Sequence, residues 1–412
     1  MRVIDAPAAT VAVPWGCWYG DTQLELEFPQ GYEIEVNGIQ DRPGLTPEQI
    51  RAAVAAPLGG SPLRELAEGA DNAVIAVDDI SRPTPIADVL PALLAELSSI
   101  PERRITILIA LGAHRPMVRS ELESKLGPDI LARFNVEQHH PYENLVDLGR
   151  SRRGTPVRLN RTFYEASVKV TVGCVLPHPY MGFGGGAKMV VPGLAAIETL
   201  QANHQPAVTG ITGGLCDAEA EARHDIEDIA LSAGLKFSCN AVVNARREVA
   251  GFFCGHPIAA HRAGARFCKE LYATSAPGAP YDIVCLNAYP KDTELLQAGN
   301  TMNCYRSSQR PLAKEGGTIV ITSACSTGRG YHSLHGKDMR LYRNPGAKPF
   351  LKGREIVLFS PNLNRRDFEV SFWSEYRFAT SWPEVAAHLQ SKHGTRATVG
   401  VFPLAPVQIV AE

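Results

Sequence analysis

The sequence lacks the features that mark a secreted, membrane or zinc-binding protein. Its nine cysteines are scattered and odd in number, and no C-x-x-C pair occurs among them. This pattern favours reduced thiols in a cytoplasm over a disulfide framework or a zinc knuckle. No apolar run approaches the roughly 20 residues of a membrane-spanning helix, and the start, Met1–Asp5, lacks the apolar core of a signal peptide. We therefore expect a cytoplasmic protein with no membrane partner.

An excess of charge of either sign is also missing. The 41 lysines and arginines nearly balance the 43 aspartates and glutamates, which leaves a net charge of −2 at pH 7. Such a balance gives no general attraction to nucleic acid, so no nucleic-acid partner is expected. With 412 residues, 45% of them hydrophobic, the chain is long enough for two or three domains with a large core.

Short apolar runs, each followed by a polar turn and a helical pattern, recur along the first part of the chain. The runs that predict buried strands are 73–78, 105–111 and 168–175. Repeated strand–turn–helix units indicate an α/β fold with a parallel sheet. Ligands of such sheets bind beyond the carboxyl ends of the strands, where Asp79, Arg82, His114 and His178 all stand. These four residues are therefore candidates for one site.

A second α/β pattern begins after a linker of small residues and prolines at 274–280. Its predicted strands are 283–286, 318–322, 356–359 and 398–402. We therefore predict two α/β domains with parallel-rich sheets and an active-site cleft between them. In this scheme residues 1–274, with antiparallel strands inside 10–40, form the N-terminal domain that carries the candidate site. Residues 275–412 form a Rossmann-like C-terminal domain that completes the substrate site.

The densest cluster of unusual residues follows the predicted strand 168–175. Prolines flank His178 and hold it in an extended backbone, and four glycines within 182–186 and Lys188 come next. Loops are usually polar, but this one carries several large apolar side chains. We infer that the loop packs closely and that its glycines let the backbone approach a ligand.

Two nucleotide-binding motifs can be compared with this loop. A P-loop is excluded because Met189 follows Lys188 where the motif needs serine or threonine. The spacing Gly182-x-Gly184-x-x-Ala187 does fit a relaxed dinucleotide fingerprint. An NAD-dependent 2-hydroxyacid oxidoreductase therefore stays open as an alternative, and a non-catalytic binding protein is a third interpretation.

Taken together, these residues resemble one known family. The motifs that carry the resemblance are Gly-Ala-His114-Arg-Pro, Pro-His178-x-x-x-Gly-Phe-Gly-Gly-Gly, Lys188, Asn-His204 and Asp79-Ile-Ser-Arg-Pro-Thr-Pro. Two further motifs lie in the second domain, Tyr289-Pro-Lys-Asp and Gly316-Gly-Thr-Ile-Val-Ile. In these motifs the chain is similar to the nickel-pincer-nucleotide lactate racemase family of 2-hydroxyacid racemases and epimerases. The resemblance covers most of the chain and is most specific between residues 176 and 204.

The resemblance implies a cofactor that contains nickel and derives from nicotinic acid mononucleotide. Lys188 matches the lysine that holds this nucleotide covalently, and His204 matches the histidine that binds the nickel. The residues that match the nucleotide-holding turn are Asp79, Arg82 and Thr84. The backbone of Gly184 and Gly185 would pass close to the cofactor. Cofactor-biosynthesis proteins are implied as partners, beside a small 2-hydroxy acid as substrate.

The implied chemistry explains why two histidines are present. His114 and His178 match the family's acid and base, and an imidazole suits proton transfer near neutral pH. Taking hydride from C2 gives a flat 2-keto acid, while the hydroxyl proton goes to a histidine. A second histidine is needed because the two enantiomers present their hydroxyls from opposite sides. His139 and His140 fit none of these motifs and are expected to be solvated.

The second domain departs from the lactate-specific pattern. Where those members have a tyrosine and a lysine that hold the substrate carboxylate, this chain has Leu296 and Asn300, and Gln297 remains between them. Arg306 or Arg310 can restore the positive charge. We therefore predict Gln297, Asn300 and Arg306 as substrate residues, and malate or another larger hydroxy acid as the substrate in place of lactate.

Overall fold

The computed structural model describes residues 3–4, 9–372 and 375–411. The chain divides into two units, each made of segments that are separate in sequence. The central unit consists of Arg42–Leu271 and His332–Leu341. The terminal unit consists of Met1–Asp41, Tyr272–Tyr331 and Tyr342–Glu412. Both units combine helices with a mainly parallel sheet, so the predicted α/β class is confirmed.

Within the described residues, the central unit is built on a six-stranded sheet. In spatial order the strands are Val249–Gly255, Phe237–Val243, Val168–Cys174, Ala73–Val77, Ile105–Ile109 and Asn135–Gln138. Neighbouring strands are parallel except at the first edge, where the pairing is antiparallel. Every residue of Ala73–Val77 is buried, which explains its unbroken apolar sequence.

Helices cover this sheet and bury a common core. They are Pro47–Ala55, Leu63–Ala67, Ile86–Glu96, Arg119–Leu126, Pro128–Arg133, Arg161–Glu165, Ile197–His204, Pro206–Thr209, Glu221–Ser232 and Pro257–Leu271. Short 3₁₀ turns occupy Glu102–Arg104 and Gly186–Met189. The first helix begins with a capping box, because Thr46 accepts from the Gln49 backbone and the Gln49 side chain accepts from the Thr46 backbone.

Two small sheets accompany the central sheet. In the first, Leu145–Arg150 pairs antiparallel with Pro156–Asn160. In the second, Pro177–His178 pairs antiparallel with Met181–Phe183, which also pairs parallel with Gly214–Leu215. The glycine-rich stretch is thus a short hairpin that leads into the 3₁₀ turn, and it is held by ladder hydrogen bonds.

The terminal unit has its own sheet, which contains seven strands in the part of the chain that is described. In spatial order they are Val3–Ile4, Tyr32–Val36, Ala397–Phe402, Tyr281–Asn287, Ala313–Thr322, Glu355–Phe359 and Arg377–Ala379. Only the first pair is antiparallel. The helices are Leu295–Ala298, Met302–Ser307, Arg365–Ser371 and Trp382–His393, with 3₁₀ turns at Gly299–Thr301 and Pro349–Leu351. Thr10–Trp15 pairs antiparallel with Thr22–Glu27, and Ala273–Ser275 pairs parallel with Ile409–Ala411.

The predicted strands of both α/β patterns are present within a few residues of their expected ends. The division of the chain is less simple than a single cut at residue 274. Residues 1–41 were assigned to the N-terminal domain but belong to the terminal unit, because Tyr32–Val36 pairs in parallel with Ala397–Phe402. The hairpin of Thr10–Trp15 and Thr22–Glu27 has the antiparallel pairing that the alternating sequence predicts, whereas Tyr32–Val36 is antiparallel to Val3–Ile4 and parallel to Ala397–Phe402.

Three further expectations can be compared with the structure. None of the nine cysteines, all of which are described, forms a disulfide, and eight of them are buried, as expected for small core residues. No helix among the described residues is long and apolar enough to cross a membrane. The expectation for His139 was wrong, because its ring is only 1% exposed and bonds the Ala195 carbonyl and the Asn160 side chain.

Candidate active site

The site begins where three neighbouring parallel strands of the central sheet end. These strands are Val168–Cys174, Ala73–Val77 and Ile105–Ile109. Asp79 and Arg82 follow the middle strand, His114 follows one neighbour and His178 follows the other. Parallel pairing puts these four residues at the same edge of the sheet, as the strand–turn–helix pattern predicts.

The side chain of His114 is paired with the carboxylate of Asp79. Nδ1 of His114 lies 2.5 Å from Oδ2 of Asp79, and the Ser81 hydroxyl donates to Oδ1. Burial would raise the pKa of Asp79, but the charge and hydrogen bond of His114, the charge of Arg82 and the Ser81 hydrogen bond hold it well below its usual range. An ionised carboxylate only accepts hydrogen bonds, so Nδ1 of His114 carries the hydrogen. In the neutral ring, Nε2 therefore holds a lone pair that can take a proton.

The ring of His178 has the opposite arrangement. Its Nδ1 accepts hydrogen bonds from the backbone N–H groups of Tyr180, at 3.2 Å, and Met181, at 3.0 Å. Because Nδ1 faces two donors, the hydrogen of the neutral ring must sit on Nε2. His114 thus presents a lone pair at Nε2, and His178 presents a hydrogen-bond donor at Nε2.

The turn after the middle strand is held from inside the protein. Thr84 is fully buried, and its hydroxyl lies 2.5 Å from Oδ2 of Asp78. That oxygen also accepts from the Cys174 backbone, while Oδ1 of Asp78 forms an ion pair of 2.7 Å with Lys125. Lys125 is fully buried and donates to the Arg82 carbonyl as well. Thr84 therefore builds the turn, and the buried pair of Lys125 and Asp78 fixes the positions of Asp79 and Arg82.

The glycines of the hairpin are explained by close packing inside the protein. A Cβ atom at Gly184 would lie 2.8 Å from the Cys174 carbonyl oxygen. At Gly185, where φ is +71°, it would lie 2.9 Å from Oδ1 of Asn240. The space beside both residues is therefore filled by protein atoms. The dinucleotide fingerprint also lacks its context here, because a 3₁₀ turn follows the glycines where that motif opens a helix.

Three buried polar side chains hold this hairpin, and the sequence reading missed all of them. Arg223 is fully buried and donates to the loop carbonyl groups of Met181, Phe183 and Gly185. Nε2 of His261 lies 2.9 Å from the Gly184 oxygen, and Asn240 accepts from the Gly186 backbone at 2.8 Å. Burial lowers the pKa of Arg223 to about 10, so the guanidinium group is still charged near neutral pH. We call these three residues the hairpin clamp.

Lys188 and His204 follow the hairpin. Lys188 lies in the 3₁₀ turn Gly186–Met189, and His204 is the last residue of the helix Ile197–His204. Nδ1 of His204 lies 2.9 Å from the Leu200 carbonyl oxygen and must donate to it, so Nε2 keeps a lone pair. Burial, and next the charge of Lys188, lowers the pKa of His204 to about 3, so the ring is neutral.

Two more histidines reach the same region from a distant part of the sequence. They stand in the segment His332–Leu341, which belongs to the central unit. Ring centroids are 5.3 Å apart for His114 and His332, 5.0 Å for His332 and His335, and 5.8 Å for His335 and His204. The sequence reading did not select this pair, although its His-x-x-His spacing was visible.

The predicted substrate residues lie in the terminal unit. Gln297 is buried, and its backbone oxygen and Oε1 accept from Nδ2 of Asn300 at 2.8 and 3.3 Å. The Arg306 guanidinium carbon lies 5.1 Å from the centre of the Phe350 ring, in cation–π contact. Gln297 and Asn300 are thus brought together, while Arg306 packs on an aromatic ring of the same unit.

Comparison with known proteins finds similarity to lactate racemases. The family model of the lactate racemase N-terminal domain matches residues 19–211. A lactate racemase of Lactiplantibacillus plantarum is 33% identical over 298 residues, which are 70% of this chain and 69% of the relative. A lactate racemase of Thermoanaerobacterium thermosaccharolyticum is 30% identical over 339 residues, which are 78% of this chain and 76% of the relative.

Solved structures extend the similarity to the whole chain. The lactate racemase apoprotein of T. thermosaccharolyticum matches with a TM-score of 0.76 and 25% identity, covering 98% of this chain and 100% of the other. A protein of Thermotoga maritima shares the fold at a TM-score of 0.65 and 16% identity, covering 90% of this chain and 99% of the other. The fold is of the α/β class, and the lactate racemase relatives show that the chain is an isomerase. The chain belongs to the lactate racemase family, whose members are racemases of hydroxy acids.

Proposed function

We propose that this protein racemises or epimerises a 2-hydroxy acid by hydride removal from C2. The observation that carries the proposal is the pair of imidazoles with opposite proton arrangements, His114 on Asp79 and His178 on two backbone donors. Removal of the C2 hydrogen as a proton is difficult because that hydrogen is weakly acidic. Removal as hydride gives a planar 2-keto acid, which can take the hydride back on either face.

The two histidines then divide the proton transfers. His114 takes the hydroxyl proton at Nε2 as the carbonyl forms, and the Asp79 carboxylate stabilises the resulting imidazolium. When the opposite enantiomer forms, Nε2–H of His178 donates a hydrogen bond to the oxygen as its negative charge develops, and solvent supplies the proton. One proton is thus taken from the substrate by His114 and one is given to the product, and exchange with solvent returns the His114 ring to its neutral form. The reverse reaction uses the same groups in the opposite order.

The residues after the hairpin fit the nickel-pincer nucleotide that the family resemblance implies. When bound, this group supplies the acceptor that takes the hydride and returns it. Lys188 would hold the nucleotide, and His204 would bind nickel through its free Nε2, since a nickel-binding imidazole typically donates its other N–H to a fixed acceptor. Next to His204, Oδ1 of Asn203 is buried and has no hydrogen-bond partner among the described residues, which also suits a site completed by a bound group. Cofactor-biosynthesis proteins are the proposed partners, and a reducing cytoplasm suits nine cysteines that form no disulfide.

The substrate is proposed to be malate or another acid larger than lactate. Leu296 and Asn300 stand where lactate-specific members have a tyrosine and a lysine, and this change supports the proposal. Asn300 donates to Gln297 and carries no positive charge. The carboxylate of the substrate must therefore be bound differently from that of lactate in those members.

The decisive experiment uses protein made in cells able to build the cofactor. The intact mass should show a covalent adduct on Lys188, and the protein should carry nickel. With substrate deuterated at C2, the product should keep its label, because the hydride is returned. Loss of the deuterium to water would mean direct proton abstraction and would overturn the hydride mechanism. Lactate, malate, phenyllactate and sugar acids should be assayed side by side, and lactate should not be the best.

Two variants separate the roles of the cofactor residues. Lys188→Ala should abolish the adduct, and His204→Ala should lose nickel while the fold is retained. Protein from a host without the cofactor pathway is the control and should have an unmodified mass. Unmodified mass together with tight NAD binding would support an oxidoreductase instead. An absence of both adduct and turnover in protein from cells able to build the cofactor would support a binding protein.

A further inference from the structure

The position of His332 beside His114 is fixed by backbone and core contacts. The backbones of the two residues form an isolated antiparallel bridge, and Ser333 donates to the Ala113 carbonyl at 2.8 Å. The next residue, Leu334, is fully buried in the hydrophobic core of the central unit. The ring of His332 is therefore held at an angle of 72° to that of His114.

The remaining end of the segment is attached to the helix that carries His204. Arg340 donates to Gln201 at 3.0 Å and to Glu198 at 3.1 Å, and both lie on that helix. Leu341 donates through its backbone to Leu334. One end of the segment His332–Leu341 is thus bound to Ala113 and His114, and its other end is bound to the helix that ends at His204.

The ring of His332 has a defined proton arrangement. Its Nδ1 accepts from the backbone N–H groups of Leu334, at 3.2 Å, and His335, at 3.1 Å. His178 is held in the same way by the backbone groups two and three residues further along. Since Nδ1 faces two donors, Nε2 of His332 carries the hydrogen of the neutral ring. Among the described residues, none accepts a hydrogen bond from this N–H group.

The surroundings favour an anionic acceptor for this N–H group. Burial, and next the nearby histidines and Arg82, hold the pKa of His332 well below its usual value, so the ring is a neutral donor. The ring is half-buried and stays accessible. An Nε2 atom that carries hydrogen cannot bind a metal, so nickel is not its partner. The anion expected beside His114 is the substrate.

We propose that His332 is a specificity residue whose Nε2–H donates to the carboxylate of the hydroxy acid bound beside His114. This assignment rests on the proposed function and adds a substrate contact within the central unit. It also offers a reason why the chain tolerates Asn300 at the position where lactate-specific members have a lysine. A neutral donor to a carboxylate compensates for part of the lost charge.

Two substitutions separate the substrate contact from the turn that His332 forms. His332→Asn keeps an oxygen that can accept from the Leu334 and His335 backbone, as in an Asx turn, but it loses the distal N–H. His332→Gln keeps a distal N–H and loses the acceptor near the backbone. If His332 binds the carboxylate, His332→Asn should raise KM about 10- to 100-fold with kcat nearly unchanged. His332→Gln should then retain a KM close to that of the wild type.

If His332→Gln raised KM and His332→Asn did not, His332 would only form the turn, and the proposal would be overturned. Lys337→Asn, at an exposed position of the same segment, is the matched control and should behave as the wild type. The adduct on Lys188 should be intact in all variants. A wild type that has neither adduct nor turnover would overturn both the proposed function and this assignment. If the wild type is active and His332→Asn leaves KM unchanged, only the assignment is overturned. Imidazole ¹⁵N spectra of the unloaded protein give a test without turnover, because an Nδ1–H tautomer of His332 would contradict the proposal.

Discussion

Nδ1 of His114 lies 2.5 Å from Oδ2 of Asp79, and this pairing leaves Nε2 of the ring to accept protons. Replacement of Asp79 by asparagine would remove the negative charge and allow an amide N–H to face Nδ1. The ring would then tend to carry its hydrogen on Nε2, which is the wrong tautomer for a base. We expect kcat to fall by ~10²–10⁴-fold, the usual contribution of a positioned acid–base group.

Steady-state kinetics on the best hydroxy acid measures this loss, and the mass of the Lys188 adduct shows whether the cofactor is still loaded. Asp147→Asn, at an exposed position of the same unit, is a suitable control. A normal kcat in Asp79→Asn with a full adduct would contradict the role of the pair. Loss of the adduct would instead mean that Asp79 acts in cofactor binding, as the family resemblance implies.

A second prediction concerns the hairpin clamp. In Arg223→Lys a single ammonium group cannot reach the three carbonyl groups that the guanidinium bonds, and buried acceptors lose their donors. Charged buried hydrogen bonds contribute roughly 1.5–3 kcal/mol each, so a destabilisation of about 2–5 kcal/mol is expected. A lower thermal midpoint and a smaller fraction of Lys188 with adduct should appear together. Arg152→Lys, at an exposed arginine, should change neither.

The local sequence pattern predicted most of the fold because strands and turns are indicated by residues that lie close together in the sequence. Continuous apolar runs define the parallel strands, and the polar residues directly after them give Asp79, His114 and His178. The hairpin clamp gives no such signal. Arg223 lies on the helix Glu221–Ser232, where an arginine is ordinarily a surface residue, and only the folded structure brings it under the hairpin carbonyls.

Long-range partners explain the other differences. His332 reaches His114 across more than two hundred residues of chain, and no periodicity links the two positions. The strand Tyr32–Val36 pairs with a strand near the opposite terminus, so its own alternation predicts a strand but not this partner. His139 has a polar sequence neighbourhood, yet its ring is enclosed because both ring nitrogens find partners inside the unit. Sequence patterns predicted elements and turns, whereas these contacts depend on the tertiary fold.

A third prediction tests why glycines occupy the hairpin. Gly182 has φ of +69°, and a Cβ atom there would meet the Asp217 carbonyl group. Gly210 has a similar φ of +74°, but nothing lies within 4 Å of its Cβ position. Gly210→Ala should therefore cost only the backbone strain, about 1–2 kcal/mol. Gly182→Ala carries the same strain and a clash with backbone, so its thermal midpoint should fall much further. Equal losses in the two variants would mean that close packing is not the reason for Gly182.

The last prediction concerns the acid sensitivity that His139 imparts. Burial lowers the pKa of His139 from its ordinary 6.5 to about 4, with the Ala195 hydrogen bond acting in the opposite direction. Between these two values the unfolded chain binds more protons at this residue than the folded chain, so stability rises with pH across this window. The neutral ring of His139 thus contributes ~3 kcal/mol to the free energy of unfolding. This contribution is fully present above about pH 6.5 and is lost as the pH falls towards 4.

In His139→Gln the amide can still donate to the Ala195 carbonyl, but it does not titrate. We expect the difference in urea midpoint between wild type and His139→Gln to shrink steadily from pH 7 to pH 4. His140→Gln, at the neighbouring exposed position, controls for the substitution itself. Other buried histidines add their own acid sensitivity to both proteins equally, so the difference curve isolates His139. Parallel midpoint curves for wild type and His139→Gln would mean that the folded protein accommodates a charged ring at this position, against the enclosed geometry.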